Sequence, residues 1–91
     1  MPRTLHLCYR TTVDTALADW LQASDTLVLL GDGIYALPSL PTTLQPGTLC
    51  VLHEDAQARG LAGGLPDHAR PINMAELVQL VVEHERSLSW N

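Results

Sequence analysis

The sequence predicts an α/β domain, a parallel sheet of about four strands with helices on both faces. Three observations carry the prediction. Two apolar runs of strand length, Thr26 to Leu30 and Leu49 to Leu52, show no polar alternation, as expected of strands covered on both sides. Apolar residues recur at helical spacing from Val13 to Leu21 and from Met74 to Val82. Glycine and proline divide the chain into an alternation of strand and helix, the pattern that builds a parallel sheet with right-handed crossovers.

The elements follow in order. Arg3 to Cys8 alternates Thr4, His6 and Cys8 against Leu5 and Leu7, a first strand. Thr12 is a good N-cap for a helix whose stripe is Val13, Ala16, Leu17, Trp20 and Leu21, with Asp14 in its first turn and Ala23-Ser24-Asp25 closing it. Asp25 to Leu40 then holds the second strand, the turn Gly31-Asp32-Gly33 and a single short helical turn, cut off by Pro38 and Pro41. Thr42 to Thr48, with Pro46-Gly47, reads as a loop. Leu49 to Leu52 is the third strand, Asp55 to Arg59 a short helix with Gly60 as its C-terminal stop, and Leu61 to Ala69 irregular. Arg70-Pro71-Ile72 is a short last strand, placed at a sheet edge because proline cannot donate to the ladder. Asn73 and Glu76 have the spacing of a capping box, opening a final helix with the stripe Met74, Leu77, Val78, Val81 and Val82.

Composition narrows the function. Ninety-one residues fit one domain, residues 1–91, able to bury a modest core. The core must come from Leu, Val and Ala, since there is no Phe and only two Tyr and two Trp. Ten acids against five basic residues, all arginine, give a formal net charge of −5, so strong direct nucleic-acid binding is not expected, and neither is a base-stacking platform. No signal peptide or membrane span is seen, and a cytoplasmic protein with no membrane partner follows. Cys8 and Cys50 lie in strand-like segments and read as reduced core thiols or a redox site, with a disulfide between neighbouring strands geometrically open.

Site motifs are sparse. The Gly31-Asp32-Gly33 turn is not a dinucleotide fingerprint, and without lysine there is no phosphate-binding loop of the Walker type. His6, Cys8, His53 and His84 lack the paired short spacings of zinc ligands, no nucleophile elbow is present, and no metal or cofactor is expected. Glu54-Asp55 reads as a helix start. With a flavodoxin-like strand order 2-1-3-4, the crevice would lie between the first and third strands, lined by Cys8, Tyr9, Arg10, His53 and Glu54. Cys8, with Arg10 and His53 near it, is the one candidate thiol for carrying a sulfane sulfur, against the reading of a small buried filler.

Four stretches in order, Thr4-Leu5-His6, Leu29 to Ala36 (LLGDGIYA), Glu54-Asp55 with Ala58-Arg59-Gly60-Leu61, and Leu77-Val78-Gln79-Leu80 to His84 and Trp90, resemble the TusB/DsrH family over nearly the whole chain. The resemblance implies a flavodoxin-like domain of the DsrE/DsrF/DsrH type. It further implies a subunit of a TusBCD-like complex, with TusC/DsrF-like and TusD/DsrE-like partners, that assists sulfur transfer toward 2-thiouridine at the transfer-RNA wobble position. The related DsrEFH complex serves sulfur oxidation. In such complexes the persulfide rides chiefly on the TusD/DsrE subunit, and the cysteine that DsrH proteins of sulfur oxidisers carry in the first helix has no counterpart in Val13 to Leu21.

The resulting expectation is a non-catalytic relay subunit. The alternatives are a thiol carrier or sulfurtransferase using Cys8, a sulfur-oxidation subunit, and a small-ligand domain using the crevice. Ile34, Tyr35 and Trp90 are the expected partner contacts, because large, partly polar rings beside a turn and near the chain end suit interfaces.

Overall fold

The computed structural model describes residues 3–13, 15–21, 24–40 and 48–91. Among these residues, five parallel strands form one sheet: β1 (Thr4–Cys8), β2 (Thr26–Leu29), β3 (Thr48–Leu52), β4 (Ala69–Ile72) and β5 (Arg86–Trp90). Their order is β4-β3-β2-β1-β5. The described residues between them form the α-helices α1 (Thr15–Trp20), α2 (His53–Ala58) and α3 (Met74–Glu83), together with a long 3₁₀ helix at Gly31–Ser39 and a short one at Ala62–Gly64.

The order explains the layers. Each step from β1 to β4 moves the chain one strand the same way, so right-handed crossovers place α1, the 3₁₀ segments and α2 on one face. The return from β4 to β5 runs the other way and puts α3 on the opposite face. Strand alternation splits the core accordingly. Cys8, Leu27, Leu29, Leu49, Val51 and Ala69 pack with Ile34 and Ala56 on the first face. Leu5, Val28, Leu30, Cys50, Leu52 and Ile72 pack with Leu77 on the second.

The three-layer α/β class is as expected, with five strands instead of about four. The missed strand is β5: Arg86-Ser87-Leu88-Ser89-Trp90 alternates polar and apolar residues at the edge beside β1, and its two serines and single leucine carry little β signal. The order 2-1-3-4 is corrected too. β2 stands between β1 and β3, and the reversal of direction that opens a crevice lies between β1 and β5.

Boundaries differ where punctuation misleads. The 3₁₀ helix runs nine residues, through Pro38, where a single turn was expected. Proline there removes only the donor that would return to Tyr35, and Leu40 N–H still reaches Leu37 O at 3.3 Å. α1 begins at Thr15, with Asp14 and Ala23 outside the described residues, and Trp20, expected in the buried stripe, is 53% exposed. The loop over residues 42–48 lies outside the described residues except Thr48, which begins β3.

α3 is the larger correction. Its capping box forms in both directions, Glu76 N–H to Asn73 Oδ1 at 2.8 Å and Asn73 N–H to Glu76 Oε1 at 3.0 Å. The inward face, however, is Leu77, Leu80 and His84, while Met74, Val78, Val81 and Val82 are exposed. The predicted stripe merged the inward face with a second apolar flank turned away from the sheet.

α2 ends as a Schellman turn: Leu61 N–H reaches Ala56 O at 2.8 Å and Gly60 N–H reaches Gln57 O at 3.1 Å, with Gly60 at φ +71°. Strand β4 is the edge strand that Pro71 demanded.

Candidate functional site

Parallel α/β sheets place their chemistry at the carboxyl ends of the strands, where the loops converge. Here that rim is Tyr9-Arg10 after β1, Leu30-Gly31 after β2, His53-Glu54 after β3 and Asn91 after β5.

The Gly-Asp-Gly turn is a packing device. A Cβ on Gly33 would lie 2.0 Å from the Cys8 carbonyl oxygen, so the turn seats backbone against backbone at the end of β1. Gly31 takes φ +57° with the Tyr9 ring beside it. The same turn is latched to α2, since Gly31 N–H donates to Asp55 Oδ2 at 2.7 Å and Arg59 pairs with Asp32 at 3.0 Å. Two of the sequence stretches that carried the resemblance therefore bind each other.

Cys8 is fully buried at the end of β1, its Sγ 3.7 Å from the Arg10 carbonyl oxygen. Cys50 is buried on the opposite face of β3, where desolvation pushes its thiol pKa up, Arg70 opposing the shift and Glu76 adding to it. No disulfide joins the two thiols, since alternation puts them on opposite sides of the sheet with β2 between.

Between β1 and β5 the crevice is closed by the chain itself. Arg10 Nε donates to Asn91 O at 2.9 Å and its guanidinium lies over the Trp90 ring, 5.6 Å from the centroid. Beneath it runs a buried polar chain that sequence reasoning missed. Trp90 Nε1 donates to His6 Nδ1 at 3.1 Å, His6 Nε2 meets Asp25 Oδ2 at 2.9 Å, and Asp25 Oδ1 accepts the Thr4 N–H at 3.1 Å. Indole N–H can only donate, so His6 Nδ1 accepts and Nε2 carries the proton toward Asp25. His6 and Asp25 are both sealed from solvent. The signal for this network in the sequence is that His6 stands in the middle of β1 and Asp25 immediately precedes the apolar β2.

The predicted site residues disperse. Arg10 sits at the closed β1–β5 crevice, while His53 and Glu54 lie exposed at the start of α2, beyond β2, so the expected crevice set does not come together. Ile34 is fully buried under the turn, Tyr35 is 48% exposed, and Trp90 is half-buried against His6. Among the described residues no three His, Cys, Asp or Glu side chains converge to hold a metal ion. The small depression between β4 and α3, lined by Arg70, Ile72, Glu76, Gln79, Leu80 and Glu83, has a volume of about 240 Å³ and no convergent reactive group.

Fold and rim together define a three-layer parallel α/β protein of small-subunit size whose thiols are sealed and whose switch-point crevice is filled by its own residues. Sequence comparison carries this to a family. Residues 9–87 match the model of the DsrH like proteins. The protein TusB of Yersinia pestis (strain Pestoides F) is 35% identical over 81 residues, covering 84% of this chain and 85% of the relative. TusB of Klebsiella pneumoniae subsp. pneumoniae is 36% identical over 80 residues, covering 82% and 84%. The chain belongs to the TusB/DsrH family. Among the described residues no helix is long and apolar enough to cross a membrane.

Proposed function

We propose that this chain is a non-catalytic subunit of a TusBCD-like sulfur-relay complex in the cytoplasm, supporting 2-thiouridine formation at the transfer-RNA wobble position. Its partners in this reading are TusC/DsrF-like and TusD/DsrE-like subunits, and the travelling sulfur stays on the latter. Family membership supports the setting.

The observation that carries the reading is a contrast in exposure. Cys8 and Cys50, the only groups able to hold a persulfide, are 0% and 1% exposed, whereas apolar surface that a lone small protein would bury is left open. That surface comprises Tyr9 and Tyr35 at the rim and the α3 flank of Met74, Val78, Val81 and Val82. Tyr35, standing on the buried Ile34, and the half-buried Trp90 are the residues we assign to partner contact.

Co-expression with TusC-like and TusD-like subunits tests it. The expected result is a stable complex with wild-type chain and a weakened one with Tyr35→Ala, whose fold is unchanged. Failure to co-purify with either subunit contradicts the proposal, as does sulfur transfer by the isolated chain through Cys8.

A further inference from the structure

Two buried histidines tie the last part of the chain to the sheet, and their partners differ in what they tolerate. His84, at the end of α3, has Nδ1 2.7 Å from Leu80 O and Nε2 2.9 Å from Thr26 Oγ1. A carbonyl oxygen only accepts, so Nδ1 carries a proton, whereas a hydroxyl can donate to Nε2 or accept from it. A second ring proton on His84 therefore leaves both contacts in place. His6 has no such freedom. Its Nε2–H is engaged by Asp25, and its Nδ1 accepts the Trp90 indole N–H at 3.1 Å, a bond that exists only while the imidazole is neutral.

We propose that His6 is a proton-operated latch on the end of β5: a proton taken from solvent at Nδ1 sets N–H against N–H and releases the Trp90 ring from the β1–β5 crevice. Nδ1 is where the proton goes. Both Asp25 oxygens already accept charge-assisted bonds, from His6 and from the Thr4 main chain, whereas Nδ1 gives up one bond between neutral groups. Stacking does not hold the ring in its place. The ring centroids are 6.2 Å apart, at the outer limit of about 6 Å for a cation over an aromatic face, and Arg10 already lies 5.6 Å from the centroid of the same indole. Among the described residues, the charges facing the pair are the Asp25 carboxylate, Arg10 over Trp90, and Arg86, whose Nε donates to Thr4 Oγ1 at 2.9 Å. Cys8 is sealed beside the Arg10 carbonyl, Asp19 of α1 is exposed, and His84 lies on the α3 face of the sheet. Trp90 is one of the residues assigned above to partner contact, and under that reading the latch regulates how the ring is presented; the latch itself is a property of the chain alone.

The test reads Trp90 by itself, in a Trp20→Phe background that removes the exposed indole of α1. Taking the purified chain from about pH 8 to about pH 5, the span in which histidine changes charge, should red-shift the Trp90 emission and raise its quenching by acrylamide severalfold, with the far-ultraviolet dichroism unchanged. His6→Gln keeps an acceptor for Trp90 and a donor for Asp25 but does not titrate, and should hold the ring at both pH values. His84→Gln should respond like its parent. Nitrogen-15 NMR of the unsubstituted chain reads the same event without a variant: the Trp90 indole N–H signal should lose its hydrogen-bonded shift as His6 Nδ1 gains its proton. Quenching that does not change with pH, a response that survives His6→Gln, or a Trp90 indole signal that stays in place while His6 titrates would each overturn the proposal. Because these readouts need no partner, they stand or fall apart from the relay reading.

Discussion

At the scale of single residues, backbone proximity and burial dominate. Gly33→Ala forces a Cβ into the Cys8 carbonyl and should cost about 3 kcal/mol or more, seen as a lower urea midpoint. Gly60→Ala meets open space and loses only the ease of a positive φ, about 1 kcal/mol. The glycines look alike in sequence; the carbonyl behind Gly33 and the positive φ of Gly60 separate them. Cys50 adds a pH dependence. Its thiol pKa is raised in the fold, so below the ordinary thiol value of about 8.5 folded and unfolded chains are both protonated and the group has no effect. Above it the unfolded chain ionises first, and stability should fall as pH rises toward the raised value. Chemical denaturation at stepped alkaline pH, with Cys50→Ala as reference, should show the fall lessened in the variant.

At the scale of elements, what was legible depended on whether a residue's role is local. The Asn73 cap and the Gly60 stop depend on neighbours three or four residues away, and both formed as read. Asn73→Ala should cost about 1 kcal/mol by thermal or urea unfolding. The α3 stripe was misread because helical spacing reports that a flank is apolar, not what covers it. Glu substitutions at Val78 and Val82, 57% and 77% exposed, should leave stability within about 0.5 kcal/mol while reducing recovery of the relay partners in co-purification. The latch of the turn to α2 divides similarly. Removing Asp55 should cost about 1.5–3 kcal/mol because a short charge-assisted bond to Gly31 N–H is lost, while Arg59→Ala, whose partner Asp32 is largely exposed, should cost about 0–1 kcal/mol.

At the scale of the whole molecule, the parallel three-layer class was readable because apolar runs and helical periods alternate along the chain. Strand order was not, because nothing local in Arg86 to Trp90 says that this segment returns across the sheet to lie beside β1. The candidate site went the same way. A crevice between β1 and β3 cannot exist with β2 between them, and the buried chain from Trp90 through His6 to Asp25 joins residues up to 84 positions apart. That topology also determines the fate of Cys8. The reversal between β1 and β5 is the place where a thiol at the end of β1 could have met a substrate, and Trp90, Arg10 and Asn91 fill it.

The central claim is that the chain supports sulfur transfer without carrying sulfur. Reconstituting it with a persulfide-loaded TusD-like subunit and a TusC-like subunit, then reading the intact mass of each subunit under non-reducing conditions, tests this directly. The account predicts an assembled complex in which this chain keeps its unmodified mass; an added sulfur atom mapping to Cys8 would contradict it.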